Sequence, residues 1–215
     1  LEKEMAINQY LCDTAEYDMA ALENAEENDF ADVDAEFNDS FTPYGVLLNK
    51  TGVCSSYAGA FKLLAEEAGL ECIVVTGYLD GELPHAWNKV KIDGEWQIVD
   101  STNNDNALLN LSDTAADKVL VEDERYALDS ELGSYQANTD EKEYYRINNL
   151  FYEQDQITAP LTEELKEEGT AVLRTDYGLS DEQFMTIAQQ AAERYGADEL
   201  GGCYWMGVIY LSDEY

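Results

Sequence analysis

Apolar positions first recur at helical spacing in residues 5–22, where Ile7, Tyr10, Leu11, Thr14 and Ala15 share a face and predict a helix. The stretch that follows, ENAEENDFADVDAEFNDS (23–40), is acidic and poor in large aliphatics, and reads as a solvated helix end and loop. From Cys54 the periodicity sharpens. Cys54, Tyr57, Ala58, Phe61, Leu64, Ala65 and Ala68 fall on one side of an amphipathic helix that runs to about Ala68 and stops at Gly69. Gly52 lets the chain turn closely into that helix, so Cys54 is expected at its N-terminus.

The period then changes. LECIVVTGYL is rich in β-branched and apolar residues and ends at Asp80-Gly81, a strand followed by a turn. HAWNKVKI alternates, with Ala86, Asn88, Val90 and Ile92 set against His85, Trp87, Lys89 and Lys91. Asp93-Gly94 is a hairpin turn, and EWQIVDS returns antiparallel. A two-residue hairpin pairs Ile92 with Glu95, which sets His85 opposite Thr102 and Asp100 opposite Trp87. Asp100 then lies on the same sheet face as His85, two residues along, within reach of a hydrogen bond.

Residues 101–159 are polar and read as loops with a strand or helix near 143–153. After Pro160 a further unit is expected: TAVLRT as a strand, Ser180–Gln183 as a capping box, a helix carrying Phe184, Ile187, Ala188, Ala191 and Tyr195 and ended by Gly196, then GGCYWMGVIYL as a second strand. The expected organisation is a core over 1–159 and a small β-α-β unit over 160–215, either a separate domain or a flank of the core. The class is α+β.

Composition narrows the partners. The chain of 215 residues holds 46 acids against 12 lysines and arginines, a formal net charge of −34. Such a surface repels nucleic acid and anionic lipid, and no apolar run reaches the length of a membrane span. The spacing of Asp29, Asp32 and Asp34 does not match a calcium-binding EF-hand loop. Cys12, Cys54, Cys72 and Cys203 lie too far apart for a paired-cysteine zinc site or a vicinal redox pair, and no metal or cofactor is expected. Cys72 reads as a buried strand residue; Cys12 and Cys203 are candidates for a disulfide in an exported protein. The start at Leu1 and the acidity suggest a secreted or cell-surface location after loss of an N-terminal segment, with the cytoplasm as the alternative.

His85 is the single histidine. A thiol attacks an amide as the thiolate, a form favoured by a helix N-terminus and by a neighbouring imidazole. The imidazole can then protonate the leaving amine, and a carboxylate on its far nitrogen fixes the tautomer. Cys54 opening a helix, His85 opening a strand and Asp100 ending the paired strand supply those three parts, with the Cys54 N–H as one oxyanion donor. Taken singly, each also reads as an ordinary core cysteine, structural histidine or turn aspartate.

The blocks PYGVLLNKTGVCSSYAGAFKLLAEEAGL and VVTGYLDGELPHAWNKVKIDGEWQIVDSTNND resemble the core of the transglutaminase-like superfamily of papain-like thiol enzymes, in the pattern GVCxxYA followed by HAWNxVxIDGxWxxVD. The resemblance covers residues from about 40 to 105, and more loosely QYLCDTAEYD. It implies a nucleophile helix packed on an antiparallel sheet, with Cys54 as nucleophile, His85 as base and acid and Asp100 as the orienting carboxylate. The second oxyanion donor of such enzymes comes from upstream of the cysteine. Tyr44 is a candidate for it, or simply packs in its Pro-Tyr-Gly turn. Trp87 either walls the cleft or belongs to the core. STNND replaces the aromatic that often follows the aspartate, so a wider or more polar cleft is expected there. The Asn49 sequon lies too close to Cys54 to carry a glycan without obstructing it.

The expected activity is acyl transfer at a carboxamide or peptide bond of a protein or peptide substrate, hydrolysis favoured over amine crosslinking. The alternative is the same fold serving, with an idle site, as a cell-surface peptide- or wall-binding module.

Overall fold

The computed structural model describes residues 1–102, 106–123 and 135–214, and the chain divides into two compact units, Leu1–Lys142 and Glu143–Tyr215.

The first unit opens with α1 (Glu2–Thr14), β1 (Glu16–Tyr17) and α2 (Met19–Glu27) in place of one continuous helix over 5–22. The break has two causes. Ala15 is extended, and Glu16–Tyr17 pairs in parallel with β2 (Thr51–Gly52). Asp18 then restarts the helix as its N-cap, its carboxylate accepting from the Ala21 N–H at 3.0 Å. The acidic stretch after α2 ends in a 3₁₀ turn, Ala35–Phe41.

The amphipathic helix forms as its spacing requires. It is α3, Cys54–Glu67, and it buries Tyr57, Ala58, Phe61 and Ala65. Each of its two buried aromatic residues contributes about 2 kcal/mol by leaving water. Gly69, at φ +81°, ends it.

α3 packs on a five-stranded antiparallel sheet of order β6-β5-β4-β3-β7. Its strands are β3 (Cys72–Leu79), β4 (Leu83–Ile92), β5 (Glu95–Val99), β6 (Leu109–Leu111) and β7 (Leu120–Glu122). Asp93 and Gly94 take positive φ, +53° and +88°, as a two-residue hairpin needs, and Ile92 pairs with Glu95. The ladder stops at Asn88–Val99, because the Asp100 N–H turns away to donate to the Leu108 carbonyl at 3.0 Å. β6, β7 and the short helix α4 (Asp113–Ala116) occupy a region read from its polarity as loop. Their short apolar runs, ALLNL and KVLV, are too brief to show a period.

The second unit holds α5 (Tyr144–Ile147), α6 (Thr158–Glu168), β8 (Thr170–Arg174), α7 (Asp181–Tyr195), β9 (Gly201–Trp205) and β10 (Val208–Ser212). Two expectations change here. GGCYWMGVIYL is not one strand but a hairpin, turned at Met206 and Gly207 with φ +51° and +75°, so the sheet is three-stranded and antiparallel in the order β8-β10-β9. The unit also begins at Glu143 and not after Ala159. Ile157, Leu161 and Leu165 are part of its core, and the buried Glu143 carboxylate pairs with Arg174 at 2.5 Å. The expected capping box on Ser180 is formed, and Gly196 ends α7.

Candidate active site

The loop before α3 is tied down by short polar links. The Asp18 N–H donates to the Gly52 carbonyl at 3.1 Å, the Ser40 hydroxyl to the Asp18 carboxylate at 2.6 Å, and the Val53 N–H to the Ser40 carbonyl at 2.9 Å. The Ser56 hydroxyl, fully buried, donates to the Thr42 carbonyl and accepts from the Val46 N–H. A β-carbon on Gly52 would come within 2.6 Å of Ser56, so only glycine lets this loop close over the helix start. These links place Cys54 as the first residue of α3.

The helix is in turn registered on β4. The Asn88 amide donates to the Ala58 carbonyl of α3 at 2.9 Å and to the Ile73 carbonyl of β3 at 3.1 Å. His85, three residues earlier on β4, is thereby held opposite the start of the helix. Its strand partner is Gly77, where a β-carbon would strike the Val121 carbonyl oxygen at 2.0 Å and the Trp87 ring at 2.8 Å.

The three expected residues meet. His85 Nε2 lies 2.6 Å from Asp100 Oδ2, and the Cys54 side chain neighbours the ring at the same cavity. His85 is 7% exposed and Asp100 3% exposed, so both leave water for this arrangement. Burial by itself would lower the imidazole pKa. The hydrogen bonds with Asp100 and Cys54, and their negative charges, reverse that and raise it to about 10. Burial likewise opposes the Asp100 charge, but hydrogen bonds from His85 and Thr102 hold its pKa below the usual carboxylate value. Asp100 Oδ1 accepts from both the N–H and the hydroxyl of Thr102, at 2.9 and 2.5 Å. With both of its oxygens engaged, the carboxylate is fixed in orientation.

Two other expected residues lie elsewhere. Tyr44 is half exposed and does not line the cleft around Cys54. Trp87 is 1% exposed and belongs to the core, its ring stacked on the His85 imidazole at 6.2 Å and 22°. It supports the histidine from below and walls no cleft, because β4 is buried on both faces. Of STNND, residues 103–105 lie outside the described residues.

Tyr17 takes the position upstream of the cysteine that Tyr44 does not. Tyr17 lines the same cavity as Cys54, and burial, then the Cys54 charge, push its pKa well up. The ring is stacked on Tyr57 at 6.5 Å, and the backbone is held by the Tyr17–Gly52 pairing. No periodicity marks Tyr17 among 15 tyrosines. Thr102, expected opposite His85, is bonded to Asp100 instead, because the ladder ends at Asn88–Val99.

All four cysteines are free thiols. Among the described residues no three metal-ligating side chains converge, and no helix is long and apolar enough to cross a membrane.

A cysteine at a helix start, a buried histidine and a fixed aspartate beneath a layer of helix and antiparallel sheet define the site type of an α+β thiol acyltransferase or peptidase. Residues 1–101 match the model of the transglutaminase-like superfamily. The human kyphoscoliosis peptidase is 35% identical across 47% of this chain, and its mouse counterpart 34% identical across the same share. The match spans only 15% of the length of either relative. A crystal structure of a TGase superposes with a TM-score of 0.43 and 24% identity, over 47% of this chain and 26% of that one.

Proposed function

We propose that the first unit is a thiol enzyme that cleaves a carboxamide or peptide bond through a thioester on Cys54. The observation that carries this reading is the buried imidazole of His85, bonded to the Asp100 carboxylate and neighboured by the Cys54 side chain. A histidine in that setting holds its proton at neutral pH and can pass it on only to the sulfur or to a group bound beside it.

The steps follow from the placement. Cys54 sulfur attacks the carbonyl carbon, and the carbonyl π electrons move to oxygen. We assign the oxyanion's donors to the Cys54 N–H, at the start of α3, and to the neighbouring Tyr17 hydroxyl. Collapse breaks the C–N bond, and the leaving nitrogen takes the proton from His85 Nδ1. Water, deprotonated by the now neutral His85, attacks the thioester and releases a carboxylic acid and the thiol. An amine in place of water would give a crosslink by the same route. Hydrolysis is favoured because water always has access, whereas an amine must be concentrated in the cleft. Asp100 remains ionised throughout, compensating the imidazolium charge.

The test is alkylation by iodoacetamide over a range of pH, read cysteine by cysteine by mass spectrometry, for wild type and His85→Ala. Burial pushes the Cys72 thiol up to about 12, so it serves as an unreactive control, and exposed Cys203 as an ordinary one. Cys54 is expected to react faster than Cys203 near pH 6, and His85→Ala to abolish the difference. A Cys54 that behaves like Cys203 would instead favour an idle site in a peptide- or wall-binding module.

A further inference from the structure

Cys54 and His85 stand at the edge of a cavity of about 480 Å³ confined to the first unit. One side of it is apolar, formed by Leu22, Phe30, Phe41, Val53 and Pro84, while Tyr17, Ser55 and Thr76 bring hydroxyls to the lining. Among the described residues, Asp123 is the one carboxylate that reaches this lining, and no lysine or arginine does. A solvated acidic face would not leave such a surface beside a reactive sulfur by composition alone. Phe30 comes from the otherwise polar stretch 23–40, and Phe41 directly follows it.

Phe30 is the most informative of these residues. It is 43% exposed, and it follows Asp29 in a pair of left-handed residues, at φ +52° and +56°. Its N–H bonds back to the Ala25 carbonyl at 2.8 Å, so the C-terminal turn of α2 presents the ring at the cavity instead of folding it into the core. An exposed phenylalanine facing an apolar cavity next to a nucleophile is an unfilled hydrophobic contact.

We infer that this cavity is a specificity subsite, which receives an apolar, branched or aromatic side chain next to the carbonyl that Cys54 attacks. The inference rests on the thiol-enzyme reading above and adds the class of substrate. Against Leu22, Phe30, Phe41 and Val53 a polar side chain gives up its hydration with no partner on that wall, whereas an apolar one loses only water. The discrimination expected between an apolar and a polar group of similar size is about 10- to 200-fold in rate.

Neutral chloroacetamides test this without knowledge of the substrate. The alkylation rate of Cys54 is measured with the N-benzyl, N-isobutyl and N-(2-hydroxyethyl) compounds, each divided by its rate with N-acetylcysteine to remove intrinsic reactivity. The normalised benzyl-to-hydroxyethyl ratio is expected to be about ten or more at Cys54 and near one at exposed Cys203. Phe30→Ser and Phe41→Ser should each bring the Cys54 ratio down several-fold. A ratio near one in the wild type overturns the inference. So does a ratio that survives both substitutions, or a parallel fall of both rates at an unchanged ratio, which marks a structural role alone. Iodoacetamide run alongside separates the two readings. If Cys54 reacts quickly with it but shows no benzyl preference, the subsite is wrong; if Cys54 reacts no faster than Cys203, the thiol-enzyme reading is wrong and the subsite goes with it.

Discussion

A buried imidazole ordinarily sheds its proton, because burial penalises the charged form. His85 keeps it, and the difference is made by two neighbours, one of which is itself held by Thr102. The residue whose contribution is least visible from chemistry alone is Tyr17. A phenol beside Cys54 has two uses: to pack, or to donate a hydrogen bond to an oxyanion. Tyr17→Phe retains the stack on Tyr57 and removes only the hydroxyl. Loss of one oxyanion donor lowers turnover by about 100- to 1,000-fold in enzymes of this type. Acyl transfer from an activated ester, followed with saturating donor, should show a fall of that size in kcat with little change in KM. A loss below about threefold would leave the phenol with its packing role only.

At the level of elements, legibility followed the length and purity of each pattern. α3 and the β4–β5 hairpin have long, regular periods and an Asp-Gly turn, so their positions and the Ile92–Glu95 register could be read directly, and with them the meeting of His85 and Asp100. Three-residue strands such as β6 and β7 carry no period, and β1 is two residues long, which is why one helix was expected where two are found. The β9–β10 hairpin was hidden because its turn is Met206-Gly207, a pair whose first member has no turn preference. Trp87 and Tyr44 were beyond sequence reasoning for a different reason: alternation says which face a side chain takes, but not what covers that face. Gly77 shows how tightly these elements close. Its α-hydrogen faces the β7 backbone, and a methyl group there would overlap Val121 and the ring that supports His85. Gly77→Ala should therefore separate β3 from β7, costing about 1–3 kcal/mol or more. Thermal unfolding should show a lower Tm, with Cys54 alkylation slowed as His85 loses its floor.

Across the whole molecule, the excess of acid is not confined to the surface. Glu4 is fully buried in α1, and among the described residues neither carboxyl oxygen has a well-formed hydrogen bond. Burial raises its pKa to about 7, offset only in part by the nearby Asn110 amide. The sign follows from linkage. The folded state holds a proton that the unfolded chain releases at its ordinary, lower pKa, so this group favours folding least once the pH exceeds about 7. The loss between the two pKa values amounts to about 3 kcal/mol. Glu4→Gln keeps the shape and discards the titration. Its Tm should exceed that of the wild type near pH 8, and the two should converge near pH 5. A gap constant with pH would show that the carboxyl is not the group responsible.

The composition has one more consequence. With His85 the sole histidine in 215 residues, the chain carries its own spectroscopic label. Every imidazole resonance in a magnetic resonance spectrum of the native protein arises from that one ring. Its protonation, its tautomer and its response to an acyl group on the neighbouring sulfur can be followed in the unaltered chain, with no background to subtract and no residue to replace.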